Sequence, residues 1–322
     1  SAARAWSPRK NSKQRNAIFS TECDFFCQAD QMTTISWFDS PTTVDVALAN
    51  ADRARAAGLH RYWNPQIAVT DPMVVLGIVA REIPDIGLGT SVVAMQSTFA
   101  KNLAIQSRTI NQASGGRFTL GLGTSHQPAM ELRHGLKWDR PYTHMVQYLD
   151  SLLPLLSDQE VSSAGEFVTT HAEIDVPGPT PEVMLAALGP KMLKLAADRT
   201  AGTITWMTGP KTIAPHIRPC IGEAHIAAGV PVWVTDDPVG AREKAAVNLA
   251  IYGQLPSYRA MLDREGMAGP GEMVLAGDLD TIRAGLEEYR DAGVDEVALN
   301  VLGSGDAVEG AWELVESMGG SL

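Results

Sequence analysis

Short apolar segments alternate with helix-length segments eight times along this chain of 322 residues, and this rhythm constrains the fold more than any other feature. The apolar segments are rich in Val, Ile and Leu, which is typical of parallel strands that are buried on both faces. Alternating strands and helices predict an α/β protein with a parallel sheet. Eight such units in about 290 residues favour a (β/α)8 TIM barrel with insertions, and an open doubly wound sheet is the alternative.

The hydrophobic pattern places the eight strands at 33–38, 59–63, 85–93, 117–123, 182–188, 202–207, 230–235 and 296–302. Among the helices between them, one spans 43–57 and ends at Gly58, and another is capped by Asp71 and begins at Pro72. A helix is also predicted over 212–228, which leaves a short connection to the seventh strand. Residues 124–139 and 157–181 are expected to be long polar insertions without strands, of the kind that often covers a barrel's mouth.

The first 31 residues differ from the rest of the chain because they are rich in Ser, Lys, Arg, Gln and Asn and have no sustained period. We interpret 1–31 as a poorly ordered or atypical N-terminal extension, and 32–322 as a single barrel domain.

Composition excludes several classes of protein. Lys and Arg number 26 against 37 Asp and Glu, and a net charge of −11 is unfavourable for binding nucleic acid. No apolar run approaches the roughly 20 residues that span a bilayer, and no secretory signal is evident, so we expect a cytoplasmic protein without membrane contact. Cys23, Cys27 and Cys220 form neither a disulfide framework nor a metal-binding pattern, which predicts free thiols and no metal site.

The active site of such a barrel lies at the carboxyl ends of its strands. The residues found there are aromatic, small or hydroxylic, and of seven histidines only His126 directly follows a predicted strand. A metal hydrolase or a glycosidase would need clustered histidines or paired carboxylates at these positions. Gly189 followed by Pro190 can leave free N–H groups at a helix start, which suits a phosphate, and Lys191 adds charge; an ordinary turn is the alternative.

Four short motifs occur in a recognisable order: IGLGTSV at 86–92, GGRFTLGLG at 115–123, LAALGPKML at 185–193 and AGTITW at 201–206. Together they resemble the bacterial luciferase-like oxidoreductase superfamily. The runs WMTGPKT at 206–212 and YGQLPSY at 252–258 are similar to the branch that uses the deazaflavin coenzyme F420. The first 31 residues show no such similarity.

The resemblance implies a barrel that is usually a homodimer, with a cis peptide bond between Ser91 and Val92 behind the ring of the cofactor. It implies that Thr124, Ser125 and His126 border the ring, with His126 as the catalytic residue. It further implies that the phosphate is held by Leu188, Gly189, Pro190 and Lys191, and that the mouth of the pocket is lined by Asp39, Gln66 and Trp206.

The expected function is therefore an oxidoreductase that transfers a hydride between coenzyme F420 and an unidentified small organic substrate. One alternative is an FMN-dependent monooxygenase that uses reduced flavin and oxygen on the same barrel. A third possibility is a barrel that binds the cofactor without turning it over, because a fold can keep a site and lose its activity.

Overall fold

A computed structural model describes residues 32–67 and 69–322, so the predictions for residues 1–31, including those for Cys23 and Cys27, lie outside the described residues. The strands are β1 (Thr34–Phe38), β2 (Arg61–Asn64), β3 (Gly87–Thr90), β4 (Val93–Ala94), β5 (Phe118–Gly123), β6 (Val161–Ala164), β7 (Thr169–Ala172), β8 (Glu182–Ala186), β9 (Gly202–Trp206), β10 (His225–Val234), β11 (Leu275–Gly277) and β12 (Glu296–Val301).

The helices lie mainly between the strands. They are α1 (Val44–Ala56), α2 (Pro72–Glu82), α3 (Ala100–Ser114), α4 (Pro141–Leu156), α5 (Pro190–Arg199), α6 (Pro210–Thr212), α7 (Arg218–Ile221), α8 (Pro238–Asn248), α9 (Ala250–Gln254), α10 (Pro256–Glu265), α11 (Leu279–Asp291) and α12 (Asp306–Met318). Single turns of 3-10 helix occur at Met95–Ser97 and Pro270–Met273, and π-helical turns at Ala129–Arg133 and Ile213–Ile217.

Eight parallel strands close into a barrel in the order β1, β2, β3, β5, β8, β9, β10 and β12, and β12 pairs again with β1. The predicted (β/α)8 barrel is therefore confirmed. The lumen holds a buried cluster against which Phe38 and Val92 also pack, and its members are Trp63, Met184, Ile204, Ala227 and Ala298. Because the lumen is filled, ligands can bind only at its ends.

Local capping explains where two of the helices begin. The Thr43 hydroxyl accepts a hydrogen bond from the N–H of Val46, and the Asp71 carboxylate accepts bonds from the N–H groups of Met73 and Val74. These caps satisfy N–H groups that have no partner inside a helix. The predicted start of a helix at Asp71 and Pro72 is confirmed.

The predicted helix over 212–228 is wrong in its second half. The helical segment ends at Ile221, where Gly222 has a φ of 62°, and the seventh barrel strand β10 already begins at His225. The Ala-rich stretch before Gly229 has a local preference for helix. However, it is buried between β9 and β12, and tertiary packing overrides such a weak preference. The short connection predicted at 227–230 therefore lies inside the strand.

The prediction that residues 157–181 contain no strand is also wrong. Strands β6 and β7 form an antiparallel hairpin there, and its tip lies against the first half of α4, where the ring of Phe167 stacks on that of His144 at 5.1 Å. The Arg140 side chain also pairs with Glu166 in this tip. The hairpin was missed because its strands are short and polar, and their stability comes from contact with α4.

A buried polar network closes the amino-terminal end of the barrel. The carboxylate of Glu296, at the start of β12, is fully buried and accepts hydrogen bonds from Ser36, Arg61 and Trp63 at 2.5–2.7 Å, while His225 lies 3.2 Å away. Burial alone would raise the pKa of Glu296, but the Arg61 guanidinium and the neighbouring hydrogen bonds outweigh it and lower the pKa to about 2. This polar network thus links β1, β2, β10 and β12.

The described residues contain neither a membrane-spanning helix nor a cluster of metal-binding side chains. Between residue 32 and the carboxyl terminus, Ala68 aside, no helix is both long and apolar enough to cross a membrane. Over the same stretch, no group of three or more His, Cys, Asp or Glu side chains is arranged to hold a metal ion.

Candidate active site

The third barrel strand ends in a bulge at the carboxyl end of the barrel. The peptide bond between Ser91 and Val92 is cis, at the position that the resemblance implies, and β4 resumes directly after it. Gln66 holds this bulge, since its N–H donates to the carbonyl of Val92 and its side-chain oxygen accepts from the N–H of Ala94 at 3.0 Å. The Gln66 side chain therefore has a positioning role at the rim of the barrel.

The neighbouring strand approaches this bulge so closely that it requires glycine. A Cβ atom on Gly123 would lie 2.6 Å from the Val92 side chain and 3.3 Å from that of Ala186. The glycine thus brings the ends of β3, β5 and β8 together. The predicted ring-binding residues on the bulge and those after β5 consequently share one side of the barrel mouth.

The three residues after β5 turn the chain into the insertion 124–139. Ser125 has a φ of 59°, and Thr124, Ser125 and His126 are all half-buried. The backbone carbonyl of His126 accepts a hydrogen bond from Met130, which begins the helical part of the insertion. Burial lowers the pKa of His126, so its imidazole is neutral at pH 7 and available to exchange a proton.

Helix α5 begins at the mouth with a first turn that no side chain caps. Gly189 is its N-cap residue and provides no side-chain cap, Pro190 follows at the first helical position, and a Cβ atom on Gly189 would meet nothing within 4 Å. Lys191 is exposed beside it, and the carbonyl of Leu188 is bonded to the His216 ring at 2.9 Å. Free N–H groups and open space make this turn suitable for a phosphate.

Three other helices that begin at the same end of the barrel, α2, α8 and α11, are each capped by an aspartate. Asp71, Asp237 and Asp278 bond the first turns of α2, α8 and α11. A cavity of about 620 Å³ lies near the last two of these, and four aspartates line it: Asp236, Asp237, Asp278 and Asp306. Because carboxylates repel an anion, this cavity is unsuited to a phosphate, which leaves the start of α5 as the better site.

Asp39 lies at the mouth, but its carboxylate is already bound by the protein. One oxygen accepts hydrogen bonds from Asn50 of α1 at 2.7 Å and from the Tyr62 hydroxyl at 2.9 Å. Burial, together with this carboxylate, raises the pKa of Tyr62, which stays a donor. The geometry gives Asp39 a structural role in joining β1, β2 and α1.

An aromatic cluster, which we define as Phe38, His126, Trp206, Tyr252 and Tyr258, lies at the mouth beside these groups. Its members are half-buried, and each ring contacts at least one other ring of the cluster. The ring centroids are 5.0–6.5 Å apart and the interplanar angles are 63–84°. A Cβ atom on Gly229 would lie 2.9 Å from the Trp206 ring, so the absence of a side chain there lets the indole settle against β10.

Sequence reasoning found only part of this cluster. His126 and Trp206 were predicted from strand ends, and the two tyrosines were noted only as part of a motif. The two tyrosines stand six residues apart in one short segment of the sequence, but only the fold shows that α9 and α10, which carry them, pack over the barrel mouth. Two further side chains near strand ends, Trp63 and Met95, are 1% exposed and belong to the core.

Comparison with known proteins shows the family and the fold of this chain. The profile of the family described as luciferase-like monooxygenases matches residues 23–296, including nine residues that composition had assigned to the N-terminal extension. A protein of Methanolobus tindarius, named 5,10-methylenetetrahydromethanopterin reductase, is 25% identical over 234 residues, which are 67% of this chain and 71% of that protein.

Two solved structures share the fold. The coenzyme F420 dependent tetrahydromethanopterin reductase from Methanopyrus kandleri aligns with a TM-score of 0.75 and 21% identity, over 88% of this chain and 97% of that one. The oxygenating constituent of 3,6-diketocamphane monooxygenase from Pseudomonas putida, in complex with FMN, aligns with a TM-score of 0.69 and 14% identity, over 90% and 97% of the two chains.

The chain therefore belongs to the luciferase-like monooxygenase family and is a luciferase-like oxidoreductase built on a TIM barrel. Two features of its mouth are of the kind that a ring with a phosphate tail needs. The bulge at Ser91–Val92 offers a wall, the open start of α5 offers an anion site, and no Cβ atom at Gly189 blocks it.

Proposed function

We propose that this protein is a hydride-transferring oxidoreductase that uses coenzyme F420 and a small organic substrate. The observation that carries the proposal is the open, uncapped start of α5 at Gly189, on the same barrel face as the bulge and His126. The names of two similar proteins support the choice of this chemistry: a reductase from Methanolobus tindarius and a coenzyme F420 dependent reductase from Methanopyrus kandleri. FMN on the same barrel is the second candidate, supported by the fold shared with an FMN complex.

Each group of residues has a distinct task in this proposal. Residues 188–191 bind the phosphate through backbone N–H groups and Lys191, and the bulge supports the ring. A bound deazaflavin supplies a carbon that accepts or donates a hydride. His126, neutral because burial lowers its pKa, exchanges the proton that accompanies the hydride.

The direct test is to titrate the purified protein with F420 and with FMN and to follow fluorescence. We expect F420 to bind, and Gly189→Asp to raise its dissociation constant at least tenfold, about 1.4 kcal/mol, because the new carboxylate occupies the phosphate site. Gly189 has a φ of −88° and open space, so aspartate fits there without distortion and caps α5.

Gly269→Asp is the matched control. Gly269 is also an N-cap residue with open space around its Cβ position, but it begins a 3-10 turn elsewhere in the chain. We expect its affinity for F420 to equal that of the wild type. Tight FMN binding without F420 binding overturns the proposed cofactor, and F420 binding without hydride exchange for any donor overturns the catalytic role in favour of a non-catalytic barrel.

A further inference from the structure

The aromatic cluster presents apolar surface at the mouth, and its rings are arranged in a particular way. The contacts run edge to face, from Phe38 through Trp206 to Tyr252 and Tyr258, and then to His126. In such contacts the positive edge of one ring lies on the negative face of the next. Ring faces that are already covered in this way are less available to a cationic ligand than the open faces of a cation-binding cage.

Within the described part of the chain, no cationic side chain makes a cation–π contact with a ring of this cluster. The cation–π contacts found between residue 32 and the carboxyl terminus involve the rings of Trp312, Trp63 and Phe167, none of which belongs to the cluster. Burial lowers the pKa of His126 and raises the pKa of Tyr252 and Tyr258, so all three side chains are neutral at pH 7. A charged substrate would lose hydration here without gaining a partner.

The cluster does contain polar atoms that can bind one oxygen. The indole N–H of Trp206 is buried and has no partner at full hydrogen-bond geometry, although the Tyr252 hydroxyl lies close enough for the indole to lower the pKa of that hydroxyl against the larger effect of burial. A buried donor without a partner costs free energy until a ligand supplies one. The imidazole of His126 adds a group that can accept or donate a proton.

We propose that the aromatic cluster is the substrate subsite and that it takes an uncharged alcohol or ketone with a flat, apolar body. The inference rests on the proposed hydride transfer to F420. In the oxidation, the substrate C–H bond breaks and its electron pair leaves with the hydride to the coenzyme. The O–H proton passes to His126, and a C=O double bond forms. The product is a ketone from a secondary alcohol, or an aldehyde from a primary one, and its oxygen accepts from the N–H of Trp206.

The test uses three probes of one shape: benzyl alcohol, 4-(hydroxymethyl)benzoate and 4-(hydroxymethyl)benzylamine, which are neutral, anionic and cationic at pH 7. Binding is measured by saturation-transfer NMR with and without F420, and turnover is followed by coenzyme absorbance. We expect the neutral probe to bind at least about tenfold more tightly than either charged one. Trp206→Leu and Tyr258→Leu should weaken the binding of the neutral probe severalfold, and Tyr258→Arg should shift the preference towards the benzoate.

Tyr142→Leu is the control, because Tyr142 is a partly exposed ring on α4, outside the cluster. Equal or tighter binding of a charged probe to the wild type overturns the inference, as does unchanged binding of benzyl alcohol to the Trp206→Leu variant. If F420 fails to bind while the neutral probe still depends on Trp206 and Tyr258, the subsite stands and the proposed function falls. If F420 binds but the three probes bind equally well, the subsite inference falls and the proposed function stands.

Discussion

At the scale of single residues, His126 combines three properties that a proton-exchanging group needs. It directly follows a barrel strand, it lies against the rings of Tyr252 and Tyr258, and burial lowers its pKa below the usual value of 6.5. The charged form is disfavoured because the surrounding rings solvate it poorly. Its environment therefore keeps the imidazole neutral over the physiological range of pH.

The pH dependence of alcohol oxidation follows from this shift. A base must be neutral to accept a proton, so the rate should stay constant above the lowered pKa of His126 and fall as pH drops through it, below 6.5. His126→Gln should reduce kcat about a hundredfold or more and remove this acidic limb. The measurement is kcat against pH for both proteins.

His134→Gln provides the comparison, because His134 is exposed in the same insertion. Its profile should match that of the wild type. An acidic limb that persists unchanged in the His126→Gln variant would assign the proton exchange to another group.

Asp39 shows the limit of reasoning from position along the chain. Its place after the first strand predicts a residue at the pocket mouth, and it does lie at that end of the barrel. However, its carboxylate is bound by Asn50 and Tyr62, two residues that are distant in sequence. Which partners a side chain finds is decided by packing, because hydrogen-bond geometry depends on atoms that local sequence does not bring together.

At the scale of secondary-structure elements, the amino-terminal ends of four strands meet at Glu296. Its carboxylate pairs with Arg61 at 2.7 Å, and both side chains are removed from solvent. The folded-state pKa of Glu296, about 2, lies below the ordinary value of 4.5. The pair therefore contributes stability that is fully present above pH 4.5 and is lost as pH falls towards 2.

Replacing Glu296 should reveal this contribution. Glu296→Gln keeps the shape of the side chain but leaves Arg61 buried without a counter-charge, so we expect a loss of about 3–5 kcal/mol near neutral pH. Denaturant unfolding from pH 3 to pH 7 measures it, and the difference between wild type and variant should shrink as pH falls below 4.5. A difference that is independent of pH would show that the carboxylate charge does not stabilise the barrel.

Two other elements were decided by contacts and not by local preference. Strand β10 begins within an Ala-rich stretch that favours helix, and the hairpin β6–β7 consists of short polar strands. In the first case burial between β9 and β12 determines the conformation, and in the second contact with α4 does. The helices with clear caps, such as α1 and α2, began where the sequence predicted.

At the scale of the whole molecule, exposed apolar side chains gather near the starts of two packed helices. Ile67 and Val74 flank the start of α2, and Phe99 immediately precedes α3, which packs against α2; these side chains are 56%, 61% and 82% exposed. Such surface is favourable to bury in association. The homodimer that the resemblance implies remains a prediction, and this region is where we expect its interface.

Light scattering after size-exclusion chromatography should give twice the chain mass of 34.5 kDa. The double variant Val74→Asp with Phe99→Asp should shift the protein to the monomer mass, because charges at an apolar interface lose their hydration. Val247→Asp is the control, since Val247 is 76% exposed on α8. A wild-type protein that elutes as a monomer at micromolar concentration contradicts the prediction.

The sequence by itself determined the barrel, the face that carries the site and the uncapped helix start at Gly189. These depend on periodicity, glycine and proline, which act within a few residues of the chain. Only the tertiary structure decided where the seventh strand begins, the hairpin and the aromatic cluster. The cluster joins five rings from β1, β9, α9, α10 and the turn after β5, and edge-to-face contact between such distant residues exists only once the barrel has closed.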